Sequence, residues 1–236
     1  MTNKILKFPD CALCFELSAL SFNMLSYIQY YASFMDTIFS IILLILSVVV
    51  HEVCHGYAAL KLGDPTAKYA GRLTLNPLRH LDPIGSVIVP LILSLIPPHM
   101  VFGWAKPVPV NPYNLKDQRW GEVLVAAAGP ASNLAIALAF GLMIRFNEFF
   151  YFLPPSFFTI AASLVIINLM LTVFNLVPIP PLDGSKILFG LFQRHSSEFQ
   201  NWVERHSIII FLFFVFFLWE FIDPVIIFLF RLITGM

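Results

Sequence analysis

The sequence predicts an all-α polytopic membrane protein, a bundle of about 4–6 transmembrane helices with a short membrane-associated β element and a re-entrant segment. Three observations lead there. Only 12% of the 236 residues are charged while 58% are hydrophobic, and the mean hydropathy is +0.82. A soluble domain carries about 25% charged residues. Apolar runs of spanning length recur at 38–62, 123–144 and 157–177. The 25 phenylalanines suit lipid-facing surfaces and bring no chemistry of their own. A formal net charge of zero gives no electrostatic footprint for nucleic acid.

Residues 1–34 are read as an N-terminal extension and 35–236 as a single membrane-embedded domain. Lys4 and Lys7 give a basic start, but Asp10, Glu16, Asn23 and Gln29 interrupt any apolar core of a cleavable signal. The stretch is an interfacial helix, a weak first span, or an extension upstream of a start at Met35. Cys11 and Cys14 form one C-x2-C pair without the second pair that a structural zinc site needs.

Ile38 to Val50 is apolar except for Ser40 and Ser47, and it leads directly into His51-Glu52-Val53-Cys54-His55. Ionisable groups inside a span are costly and are usually retained for function. Positions i and i+4 lie about 40° apart on a helix, so His51 and His55 can share one metal ion. Glu52 is rotated by about 100° and can reach a water there without being a ligand. Cys54 points to another face and reads as packing. Gly63-Asp64-Pro65 ends this helix.

Arg72-Leu73-Thr74-Leu75 alternates polar and apolar and predicts a short strand, closed by the turn Asn76-Pro77. Residues 84–98 are apolar but short, and Pro90 interrupts them, which predicts a re-entrant or broken segment. The run Lys106-Pro107-Val108-Pro109-Val110-Asn111-Pro112 forces an extended backbone. The span 123–144 opens on small residues, Ala126 to Ser132, which let helices approach closely. Asn133 follows at membrane depth, either as an interhelical hydrogen bond or as part of a site. The span 157–177 carries Asn168 and Asn175 and runs into Pro178-Ile179-Pro180-Pro181-Leu182-Asp183-Gly184, an irregular stretch. Irregular backbone at membrane depth is tolerated when it is buried in protein or lines a cavity. Residues 185–202 read as interfacial. Residues 208–221 and 225–233 flank Asp223-Pro224 as one kinked span or a hairpin.

If residues 63–122 begin and end on one membrane face, counting depth along antiparallel spans brings His51, His55, Gly129 to Asn133 and Asp183 to similar levels. Lys61, Lys68, Arg72, Arg79, Lys106, Lys116, Arg119, Lys186, Arg194 and Arg205 then fall on one face, and Arg145 and Arg231 on the other. The positive-inside rule makes the first face cytoplasmic. A catalytic zinc has three protein ligands and an open position. His80, His99, His195 and His206 lie in loops or interfacial stretches and read as polar surface residues, and Glu148 and Glu220 lie near the far side. Asp183 fits as third ligand on depth and charge.

These motifs, with Gly129-Pro130-Ala131-Ser132-Asn133, resemble the site-2 protease family of intramembrane zinc metalloproteases. Gly103-Trp104-Ala105-Lys106-Pro107-Val108-Pro109-Val110-Asn111-Pro112 is similar to a compact bacterial branch without a PDZ domain. The likeness covers roughly residues 38–192. It implies one Zn2+ per chain on His51, His55 and Asp183, Glu52 as catalytic base, and Asn133 helping to position substrate. Ser185 stands where many relatives have a second glycine. The expected activity is hydrolysis of membrane-embedded peptide substrates near the cytoplasmic face. Arg72, Leu73, Thr74 and Leu75 are the candidate receiving edge. The expected location is the bacterial cytoplasmic (inner) membrane, as a multi-pass protein in the lipid bilayer. A metal transporter or metal sensor using the same ligands without hydrolysis is the alternative. It needs polar groups across the whole bilayer, and here they gather near one side.

Overall fold

Long apolar runs become long helices because a bilayer leaves backbone groups no other partners. The computed structural model describes residues 38–82, 85, 88, 105–192, 197–214 and 221–236. Chain contacts define two units, Met1–Ile42 and Leu43–Met236, and the described residues fall almost wholly in the second. Among them, three helices are long and apolar enough to cross a membrane: α1 (Ile38–Lys61), α3 (Gln118–Arg145) and α4 (Pro155–Leu176). At about 1.5 Å per residue each exceeds the roughly 30 Å of a hydrocarbon core. Their outer faces are apolar, as Ile41, Ile42, Leu46, Leu124, Leu142 and Ile166 show by their exposure. Patches of that extent suit lipid rather than water.

The remaining helices are short: α2 (Thr66–Tyr69), α5 (Asp183–Leu191), α6 (Ser197–Arg205), α7 (Ser207–Phe213) and α8 (Ile222–Thr234). Local chemistry sets their ends. The Asp117 carboxylate accepts from Trp120 N at 2.9 Å and caps α3. Pro155 stands at the first position of α4, where its missing N–H costs nothing. Pro130 lies inside α3, yet the helix continues through it.

The main core is apolar and joins α3, α4 and α8. Ala137 and Ile144 meet Ala161, Val165 and Leu169, with Ile222, Ile226, Ile233 and Phe214 closing the cluster. A smaller cluster of Ala59, Leu115 and Val125 ties the end of α1 to the start of α3. Arginines fasten both ends of α3. Arg119 donates to the carbonyls of Gly190 at 2.8 Å and Leu191 at 3.1 Å, at the end of α5. Arg145 donates to Leu232 O at 2.8 Å, near the end of α8.

Two expectations change. Arg72 to Leu75 forms no strand, and no strand occurs among the described residues. The alternation is there, but the Arg72 amide and the hydroxyl and carbonyl of Thr74 are bonded locally. Arg72 N donates to Ala67 O at 3.0 Å, Asn76 N to the Thr74 hydroxyl at 3.2 Å, and the His80 ring to Thr74 O at 2.9 Å. Asp183, expected at the end of an irregular stretch, is the first residue of α5. The prolines before it stop α4 and lead into a new helix. The extension 1–34 with Cys11 and Cys14, the segment 84–98, and His99, His195 and Glu220 lie outside the described residues, save for Gly85 and Ile88.

Asp64 is the knot of the loop that follows α1. It is fully buried and accepts from Asn111 N at 2.7 Å, Asn114 Nδ2 at 2.9 Å, and both the amide and the hydroxyl of Thr66. Burial pushes its carboxyl up, but the bonds from Thr66, Asn114 and Asn111 outweigh this and hold it below the ordinary 3.8. A lowered folded value means stability that is fully present above the unfolded value and is lost as pH falls through the folded one. Asp64→Asn is expected to lose about 1–3 kcal/mol at pH 7. It should also flatten the acid limb of stability below about pH 4. Thermal unfolding of both proteins from pH 3 to 7 checks this; parallel curves would show that Asp64 contributes no acid-sensitive stability.

Candidate metal centre

His51 and His55 sit one turn apart on the inner face of α1, 5% and 8% exposed. Asp183 opens α5 and is 9% exposed. The bond from Leu182 N to Ile179 O at 2.9 Å and the Ser185 hydroxyl on Leu182 O at 2.7 Å fix the entry to that helix. The Nε2 atoms of the two histidines are 3.0 Å apart, and each lies 3.1 Å from Asp183 Oδ2. Among the described residues this is the one cluster of three such groups that could hold a metal ion.

The donor set fits a cation and little else. His51 Nδ1 lies 2.6 Å from Asn133 Oδ1, and His55 Nδ1 lies 2.6 Å from the carbonyl of Val125. Both partners are acceptors, so each Nδ1 carries the proton and donates it. In the neutral imidazole each Nε2 then offers a lone pair. Two lone pairs and a carboxylate packed this closely repel one another unless a positive ion sits between them. Fixing the outer nitrogen is also how proteins orient metal-ligating histidines.

Gly129 makes room for the cluster. A Cβ there would lie 2.3 Å from His55 Nε2 and 2.6 Å from His51 Nε2. The helix backbone of α3 thus forms one wall of the site, closer than any side chain would allow. Gly184 has a similar role beside Asp183, where a Cβ would meet the carbonyl oxygens of Leu176 and Val177 at 2.3 and 2.5 Å.

Behind His51 runs a buried polar relay. Asn133 Nδ2 donates to Asn168 Oδ1 at 2.8 Å, and Asn168 Nδ2 donates to the Ser47 hydroxyl at 3.0 Å. Asn133 and Asn168 are fully buried, and Ser47 lies on the same helix as His51, one turn earlier. Asn133 therefore has both ends of its amide engaged.

Glu52 is half-buried and outside the cluster. Its Oε2 accepts from Val108 N at 2.8 Å. Cys54 is a half-buried free thiol, also outside the cluster. Arg72 is buried, Leu73 lies over Gly56 beside His55, and Leu75 is exposed. His80, expected at the surface, is 2% exposed, because its ring is drawn in to bond Thr74 O. His206 stacks on Trp202, and Glu148 is exposed. Sequence reasoning singled out neither Gly129 as a wall of the site nor Val125, Val108 and Asn168 as partners. Backbone donors and acceptors leave no trace in residue type, and Gly129 stood out as a small residue at the depth of the histidines, not as a wall against them.

Comparison with known proteins finds relatives of the chain. The model of peptidase family M50 matches residues 151–218, which include Asp183. A protein of Bacillus subtilis, provisionally named zinc metalloprotease YwhC, is 40% identical over 177 residues, or 73% of this chain and 77% of its own length. The chain belongs to peptidase family M50. This M50 peptidase is also similar to Rip2 of Mycolicibacterium smegmatis, at 29% over 154 residues. Rip2 of Mycobacterium tuberculosis is 31% identical over 140 residues. Both carry a provisional zinc metalloprotease name, and the chain spans 54% and 52% of their lengths. No solved structure matches the chain. M50 is the site-2 protease family, so the chain is a metallopeptidase, and the histidine–aspartate cluster is placed to bind its metal.

Proposed function

We propose that this M50 peptidase is an intramembrane zinc metalloprotease that hydrolyses peptide bonds of membrane-embedded substrates near the cytoplasmic face of the bacterial cytoplasmic (inner) membrane. The observation that carries this reading is the convergence of His51, His55 and Asp183 between helices of membrane-spanning length. In this reading His51, His55 and Asp183 hold one zinc ion, and Glu52 is the catalytic base. Zinc held by these residues would supply Lewis-acid chemistry, activating a water and polarising the scissile carbonyl. The role of Glu52 is to accept a proton from the attacking water and pass it to the leaving amine. Its Oε1 makes no hydrogen bond among the described residues, so that oxygen is available for the transfer.

Asn133 is read as the group that orients His51, because its amide is buried and bonded at both ends. Arg72 to Leu75 are read as the stretch that positions substrate, with Leu73 beside the His55 turn and Leu75 facing outward. A substrate helix unwinds before hydrolysis, since its peptide bonds are otherwise protected.

Metal analysis tests the reading. The purified protein is expected to hold about one zinc per chain. The Asp183→Ala variant is expected to lose affinity by at least about 100-fold, because two histidines alone make an incomplete site. Stoichiometric zinc retained by that variant would remove Asp183 from the ligand set. Metal-dependent transport with no cleavage by any form would replace hydrolysis by transport.

A further inference from the structure

The extended segment from Lys106 to Asn111 brings one backbone donor to the base. Val108 is 8% exposed, and its N–H reaches Glu52 Oε2 at 2.8 Å across 56 positions of sequence. The residues on either side, Pro107 and Pro109, have no N–H. The nearest preceding donor, Lys106 N, is spent on His80 O at 2.8 Å.

The segment is held independently of Glu52. Asn111 N is bonded to Asp64 at 2.7 Å, Lys116 N to Leu62 O at 3.0 Å, and Leu115 is buried in the smaller core. Fixed proline φ angles further reduce its freedom. A carboxylate on a helix has several rotamers of similar energy, and proton transfer needs one of them. A rigid donor fixed to one oxygen selects it.

We propose that the Val108 N–H is a positioning group for Glu52, holding Oε2 so that Oε1 is presented for proton transfer. The proposal rests on Glu52 as the base. It assigns the Pro-Val-Pro segment to the catalytic geometry.

The test removes the donor and keeps the extended chain. Zinc-loaded Val108→Pro and Val108→Ala are compared in detergent with fluorescein-labelled casein, an unstructured protein probe. The proline variant is expected to fall about 10- to 100-fold below the alanine variant in kcat, the loss of one hydrogen bond to a charged group. KM and zinc content are expected to match. An amide-to-ester exchange at Val108 deletes the same donor with the side chain kept, and covers a proline variant that does not fold. A second readout needs no turnover. With 15N-labelled valine, the Val108 amide resonance is expected downfield in the unsubstituted protein and moved upfield by Glu52→Ala. Equal kcat in the proline and alanine variants, or an amide resonance indifferent to Glu52→Ala, would overturn the proposal. Absence of casein hydrolysis by the unsubstituted, zinc-loaded protein counts against the peptidase reading, and the resonance then decides the contact alone.

Discussion

Replacing Glu52 with glutamine is expected to lower kcat about 10^2- to 10^4-fold while zinc stays bound. The two effects separate because Glu52 is not part of the donor cluster. It sits one residue from His51 but is turned by about 100° around the helix. Glutamine keeps the size of the side chain and can still accept from Val108 N through its amide oxygen, so the local packing survives. Only the capacity to take up a proton is lost. Zinc per chain by atomic absorption and casein hydrolysis on the same sample check this. A glutamine variant that cleaves like the unsubstituted enzyme would take the base role away from Glu52. One that has lost its zinc would place Glu52 in the metal site itself.

Gly129→Ala is expected to remove metal and activity together. The added methyl would lie 2.3 Å from His55 Nε2 and 2.6 Å from His51 Nε2, on the side where the cation belongs. Neither ring can retreat freely, since each outer nitrogen is bonded at 2.6 Å, to Asn133 and to Val125. Zinc affinity is expected to fall at least about 100-fold, the upper end for changes that support a metal site. Stability is expected to fall by about 1–3 kcal/mol from overpacking. Competition with a fluorescent zinc chelator measures the first and thermal unfolding the second. Unaltered zinc affinity would show that α3 does not wall the site.

The helical spans and the clustering of His51, His55 and Asp183 were legible because each rests on a strong local or near-local pattern. An apolar run entering His51-Glu52-Val53-Cys54-His55 has few physical readings. Asp183 could be paired with it across 128 positions by matching depth along antiparallel helices, and it lies 3.1 Å from His55. What stayed hidden was carried by backbone. Val125 serves the site through its carbonyl and Val108 through its amide, and neither function depends on the side chain that the sequence displays. Asp64 read as part of a helix stop, since nothing local announces four donors arriving from Thr66, Asn111 and Asn114. Arg72 to Leu75 show the opposite error. Four alternating residues are compatible with a strand, but a strand also needs a partner, and here the Arg72 amide bonds Ala67 O and the Thr74 carbonyl accepts from the His80 ring.

The relay from Ser47 through Asn168 and Asn133 to His51 also depends on all three spans being present. Helices enter a bilayer in the sequence in which they are synthesised. When α1 arrives, Ser47 and His51 have no amide to bond. When α3 arrives, Asn133 can meet His51 but its other end is open. Only α4, with Asn168, closes the ring. An unpaired amide in hydrocarbon favours association over dispersal, so each newcomer is drawn to the helices already present. The bonds form in one vertical register, which sets how far each helix slides past its neighbours. Asp183 follows α4 in the chain, so the cluster of His51, His55 and Asp183 is complete only once all three spans have been made.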